Sequence, residues 1–347
     1  MTTFAPVIAA PDRSVPRAVT LWLALCAAMV FAMAVIGAIT RLTESGLSMV
    51  EWRPLIGMVP PLSTAAWQRV FDLYRETPQY RFVNLGMTLA EFQSIFWWEW
   101  FHRLWGQVIG FVVLLPLIRF SIGGAIPWPL GRRLIALFAL GGLQGGIGWF
   151  MVASGLVDRP AVSHYRLALH LVMATLIYGG LLWCALDRFP PCPDRTARRL
   201  RRHTLIALIL AATTLVWGAF VAGLRAGSFY NTFPLMNGDW LPPEAFSLTP
   251  GWINWFENVA AVQFAHRGLA LSTAITVLTL AWRSQRHRAA LGPLPWLVAA
   301  VVLVQVGLGV TTLLTHVAII PAALHQAGAL TLISVLIALR HRLREGA

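Results

Sequence analysis

An all-α integral membrane protein, with eight transmembrane helices arranged as two pseudo-repeated four-helix bundles, is the fold this sequence predicts, and three observations predict it. The 347 residues are 57% hydrophobic and 12% charged, with a mean hydropathy of +0.67, which leaves too little polar surface for a water-soluble globule. Eight apolar runs approach the roughly 20 residues needed to cross a hydrocarbon core. Between them the basic residues fall in short clusters, which is how membrane topology is written.

The runs lie near 18–40, 93–118, 134–153, 162–186, 204–224, 256–282, 294–314 and 321–340. Each is expected to be a helix, because in lipid only a helix satisfies its backbone hydrogen bonds segment by segment. The first follows Arg13 and Arg17 and is too long and poorly punctuated for a cleaved signal peptide, so it stays as an anchor. Before the second comes a long loop from Arg41 to Glu91, whose amphipathic piece Thr64 to Arg75 is expected to cap the pocket beneath it. An arginine-rich linker containing Arg198 to Arg202 joins the fourth run to the fifth, and the eighth ends among Arg340, Arg342 and Arg344.

All 27 basic residues are arginine, and the net charge is +13. Their positions exclude a soluble nucleic-acid binder: the N-terminus, the loops 119–133, 187–203 and 283–293 and the C-terminal tail hold 17 of them, against seven in the four alternate loops. The arginine-rich set is therefore cytoplasmic. Both termini lie inside, in what reads as a bacterial cytoplasmic (inner) membrane. Cys26, Cys184 and Cys192 then fall near cytoplasmic helix ends or in a cytoplasmic loop, where no external disulfide is expected. Neither CxxC nor CxxCH occurs, so thiol redox chemistry and covalent haem attachment lack support.

Halving the chain exposes a repeat. Gly37-Ala38-Ile39 resembles Gly218-Ala219-Phe220; His102-Arg103 recurs as His266-Arg267; Gln144 with Gly148 recurs as Gln305 with Gly309; and His170 recurs as His325. The division expected is residues 1–186 for one bundle, 187–203 for the linker and 204–347 for the other.

Of nine histidines, His203, His287 and His341 stand beside cytoplasmic arginines, and His164 and His316 in or near short external loops, where solvated or interfacial roles are ordinary. The other four, His102, His170, His266 and His325, lie inside the even-numbered runs, all of which enter from outside. They belong in the outer half of the bilayer. Two per bundle at matching depth suits the axial ligation of haem iron between facing helices. Zinc normally takes more ligands than each bundle offers. Arg103 and Arg267, each directly after a histidine, either snorkel to the interface or pair with haem propionates, and Arg166, one turn before His170, is a third propionate candidate. Trp97, Trp98, Trp100 and Trp105 read first as an aromatic belt and second as walls of a macrocycle pocket.

The bundles differ at one place. The first reads Glu99-Trp100-Phe101-His102 and the second Gln263-Phe264-Ala265-His266. Glu99 stands about 4.5 Å in rise from His102, where a charge is expensive without a partner or a task. Two readings remain open: a structural ion pair with Arg103, or a carboxylate that makes the first bundle the reacting one.

The run from Gly37 (GlyAlaIleThrArgLeuThrGluSerGlyLeuSer), the piece from Trp52 (TrpArgProLeuIleGly), the piece from Glu91 (GluPheGlnSerIlePheTrpTrpGluTrpPheHisArg) and the four spaced histidines closely resemble the haem A synthase (COX15/CtaA) family, over nearly the whole chain. The resemblance implies oxidation of the C8 methyl group of haem O to a formyl group, supplying haem A to terminal oxidases. It makes the N-terminal bundle the substrate side, with haem O on His102 and His170, and the C-terminal bundle the holder of a haem b on His266 and His325. Glu99 would stabilise developing positive charge or handle a proton. Some relatives carry a cysteine pair in the first external loop; this chain has none there. Expected partners are haem O, the bilayer and an electron-transfer partner, with haem O synthase, oxidase assembly factors and a second copy of the chain as further candidates. A quinol-linked cytochrome b is the rival reading, and a haem-free transporter or assembly factor a third.

Overall fold

The computed structural model describes residues 15–51, 58–157 and 162–344. Arg13 and the resemblance piece at 52–57 lie outside the described residues. Eight long helices carry the architecture: α1 (Arg17–Leu42), α2 (Leu89–Ile122), α3 (Trp128–Val157), α4 (His164–Leu186), α5 (Leu200–Gly223), α6 (Val259–Ser284), α7 (Leu294–Leu314) and α8 (Ile319–Arg342). All eight are long and apolar enough to span a membrane.

The helices overrun the apolar stretches where local chemistry favours it. α2 starts before residue 93 because Thr88 and Glu91 form a reciprocal capping box, the Thr88 amide donating to Glu91 Oε2 at 2.7 Å and the Glu91 amide to Thr88 Oγ1 at 3.3 Å. Its 34 residues make a rod about 50 Å long, against about 30 Å of hydrocarbon. The surplus stands outside, where Phe92 packs 5.1 Å from the rings of both Phe71 and Tyr74 on the loop helix Thr64–Arg75. α3 likewise begins at Trp128, since Pro129 in a first turn forfeits no hydrogen bond.

Neighbours pair off in a two-fold pattern. α1 packs on α2 and α4, and α3 on α2 and α4; α5 packs on α6 and α8, and α7 on α6 and α8. Between the two groups α4 meets α5 and α8, and α1 meets α8. Lipid supplies no hydrophobic drive for such contacts, so close packing and interhelical hydrogen bonds must hold them. Tyr178 on α4 and Ser334 on α8 share one such bond at 2.6 Å. At one end of the bundle, Glu44 Oε1 meets Arg225 Nη2 at 2.6 Å. Each of these two residues lies seven positions after its glycine, Gly37 or Gly218, and each has positive φ, 56° and 54°.

At the other end Asp187 closing α4 accepts from His341 of α8 at 3.1 Å and from Arg133 of α3 at 3.3 Å, and the Cys192 amide donates to Arg342 O at 2.6 Å. His341, fully buried and edge-on to Trp183, is thus a structural clasp and differs from the solvated reading of its arginine-rich surroundings. His164 differs too: it opens α4, buried against Gly223 and the Phe220 ring of α5.

The arginine-rich ends therefore share one side of the bundle, and reporter fusions decide which side of the membrane that is. Fusions after Arg133, Arg202 and Arg288 are expected to report cytoplasm, and fusions near Thr64 and Asp239 the opposite side; an external signal at Arg202 overturns this orientation.

Candidate functional site

The four intramembrane histidines project from α2, α4, α6 and α8, and each meets a glycine on a neighbouring helix. A Cβ added at Gly37 would stand 2.9 Å from His102 Cε1, at Gly148 3.1 Å from His170 Cε1, at Gly218 3.2 Å from His266 Cε1 and at Gly309 2.9 Å from His325 Cε1. Only a residue without a side chain lets an imidazole lie this close to the next helix backbone. The landmarks of the repeat thus form four histidine–glycine contacts.

His102 lies within electrostatic reach of His170, and His266 of His325. All four residues are half-buried. Nδ1 of His102, His266 and His325 is buried without a hydrogen-bond partner among the described residues, while Gln144 Nε2 stands 3.2 Å from both ring nitrogens of His170. His266 and His325 also lie near the backbone of Thr214 and Gln305. Buried imidazoles without partners are costly in a membrane interior. Among the described residues no third His, Cys, Asp or Glu joins either pair. Two imidazoles near each other on different helices, each relieved by a glycine, are a donor set suited to a flat metallo-macrocycle.

Beside His102, Glu99 is only 3% exposed, yet both its oxygens are met. Oε2 accepts from Ser48 Oγ and from the Met49 amide, each at 2.7 Å, and Oε1 accepts from Arg103 Nη2 at 2.5 Å. Arg103 also donates to Met49 O at 2.9 Å and to Glu51 O at 3.4 Å. The pair on α2 grips the start of the loop that follows α1.

In the second group Gln263, 1% exposed, donates to Tyr230 O at 2.8 Å, and Arg267 reaches the carbonyls of Tyr230, Thr232, Pro234 and Leu235 at 2.9–3.3 Å. The Arg267 Nε is buried without a partner among the described residues. Tyr230 itself is anchored through its hydroxyl to Glu244; burial first, and that carboxylate second, push the phenol up to about 12, so it stays a donor at neutral pH. The same positions on α2 and α6 therefore hold the loops that follow α1 and α5, one through a carboxylate and one through an amide.

Arg166 donates to Phe150 O at 2.7 Å and lies over the Phe150 ring at 3.7 Å. Trp97 and Trp98 are exposed, as an aromatic belt requires, whereas Trp105 donates inward to Met29 O at 3.0 Å. Sequence reasoning placed Glu99, Arg103 and the histidines together. It missed Ser48 and the Met49 amide, for which the only signal was their place in the run after Gly37.

Residues 20–337 match the family model COX15-CtaA, described as a cytochrome oxidase assembly protein. The chain is 54% identical over 343 residues to a "Heme A synthase" of Rhodospirillum centenum, covering 97% of this chain and 91% of that one. Over 339 residues it is 47% identical to a "Heme A synthase" of Nitrosospira multiformis, with 96% and 95% covered. A third relative of that description, from Parvibaculum lavamentivorans, is 46% identical over 329 residues, with 95% of each chain covered.

Proposed function

The chain belongs to the COX15-CtaA family of cytochrome oxidase assembly proteins, and from that premise we propose that it is a haem A synthase, an oxidoreductase that converts the C8 methyl group of haem O to a formyl group. One observation carries the reading beyond the family: two pairs of neighbouring histidines, each ring set against a glycine, with a buried carboxylate one turn from His102 where the other half has Gln263.

Residues 1–186 form the substrate half and residues 204–347 the cofactor half, joined by 187–203. His102 and His170 hold haem O, and His266 and His325 hold a haem b, whose iron supplies the redox chemistry when bound. Gln144 orients His170. Glu99 is the catalytic carboxylate, fixed by Ser48, the Met49 amide and Arg103 before substrate arrives, so that no reorganisation is needed when positive charge or a proton appears beside it. Arg267 addresses a propionate through its spare Nε–H. Arg103 and Arg166 address one with the N–H groups left over from their backbone carbonyls. Both pockets open toward the periplasmic side of a bacterial cytoplasmic membrane. Haem O synthase, oxidase assembly factors, an electron-transfer partner and a second copy of the chain are the neighbours this role implies.

The test is an absorption spectrum of the purified chain, followed by extraction and chromatography of its haems. Haem b together with haem O or haem A is expected; haem b alone, unchanged after supply of haem O, would leave a cytochrome without the synthase activity. The glycine contacts give a second check. Ala at position 37 or 309 puts a methyl carbon 2.9 Å from an imidazole carbon, closer than packing tolerates, so the ring must swing. Gly37→Ala should perturb the absorption of the first-half haem and Gly309→Ala that of the second, each leaving the other intact. Wild-type spectra for both would remove the histidines from the iron.

A further inference from the structure

The three arginines that the sequence singles out beside the histidines all hold protein acceptors, and a fourth does not. Arg41 stands one turn along α1 from Gly37, on the face that Gly37 turns toward His102. A helical side chain leans back toward the N-terminus of its helix, which carries the Arg41 guanidinium toward that contact. Its depth is set by its neighbour, Thr40, whose hydroxyl reaches Trp98 O at 3.5 Å, placing Arg41 near the level of Trp98, one turn from His102. Among the described residues its guanidinium makes no hydrogen bond and no ion pair. The nearest charges are Arg225 and Glu44, and Glu44 is already engaged by Arg225 at 2.6 Å. Arg41 is half-buried, and a guanidinium so placed calls for an acceptor. The equivalent place in the second half, four residues after Gly218, is Ala222.

We infer that Arg41 binds a propionate carboxylate of the haem held by His102 and His170, and that this contact belongs to the substrate half alone. A planar fork with paired N–H donors suits a carboxylate. The inference rests on the assignment of haem O to the first half, and the experiment separates the two. Haem O and its propionate dimethyl ester, which keeps the macrocycle and loses both negative charges, are titrated by absorbance into the full-length protein in detergent. Wild type should prefer the free acid. Arg41→Gln should weaken free-acid binding by about ten- to a hundredfold while binding the diester as wild type does, with the spectrum of the haem on His266 and His325 unchanged as the folding control. Equal affinity of Arg41→Gln and wild type for the free acid would overturn the inference. So would an equal loss for acid and diester, which would make Arg41 structural. If Arg41→Gln does not accumulate, Arg41→Lys decides by the same comparison: a loss confined to the free acid supports the contact, and no loss or an equal loss ends it. Superimposable titrations of wild type and His102→Ala would instead remove the first-half assignment, and the inference with it.

Discussion

Replacing His266 or His325 with alanine removes most of the tightly bound haem b and takes haem A formation to background. Each ring is one of two nitrogen donors in its pair, and no third His, Cys, Asp or Glu stands by among the described residues to take its place. The loss should be confined to the second half. Those variants should still fold, because alanine in place of a half-buried imidazole gives up one contact to a neighbouring backbone, at Thr214 for His266 or at Gln305 for His325, and leaves the packing of the helices in place. Haem b is counted by extraction and chromatography per mole of folded protein, and turnover by conversion of added haem O. Unchanged low-spin haem content in both single variants would refute the ligand assignment.

Glu99→Gln should slow conversion of haem O to haem A by about a hundredfold or more, with haem O or a partly oxidised product accumulating while the His266 and His325 haem keeps its spectrum. The variant preserves size and makes the position resemble Gln263. It also alters the loop grip, since an amide cannot accept at both ends as the carboxylate does from Ser48, the Met49 amide and Arg103. Ser48→Ala supplies the comparison, removing one anchor and leaving the carboxylate. If Glu99 only fastens the loop, both variants should lose haem retention to similar degrees and turn over at nearly the wild-type rate per haem-loaded molecule. If Glu99 acts on the substrate, Ser48→Ala should cost no more than about tenfold and Glu99→Gln far more. Near-normal haem A production by folded, haem-loaded Glu99→Gln would reduce Glu99 to a charge-pairing residue.

The spans were legible because an apolar run of bilayer length has few other uses, and only their ends moved, among them those at Thr88 and Pro129, where capping chemistry extends a helix beyond the lipid, and at Leu200, where α5 begins inside the expected linker. The four histidines were legible because imidazole inside an apolar run is conspicuous. The pairing of Glu99 with Arg103 was legible too, but the hold of Arg103 and Arg267 on the loops was not. Their acceptors are backbone carbonyls of residues 49, 51, 230, 232, 234 and 235, and a carbonyl has no residue type by which a sequence could announce it. His341 was misjudged for a related reason: its arginine neighbours suggest water, whereas Asp187, distant in the chain, supplies the partner that buries it.

The contact between Glu44 and Arg225 is one that only a chain with two different halves can make. Each occupies the same place in its half, seven residues beyond the glycine that faces a histidine, and the two meet each other at 2.6 Å. In a symmetric dimer of one shorter chain, a residue on the two-fold axis faces its own copy. Glutamate would confront glutamate, or arginine arginine, with repulsion in either case. Opposite charges at a self-facing position require two positions that mutate independently. A single chain that carries both positions can place an acid at one and a base at the other, as it places Glu99 in one half and Gln263 in the other.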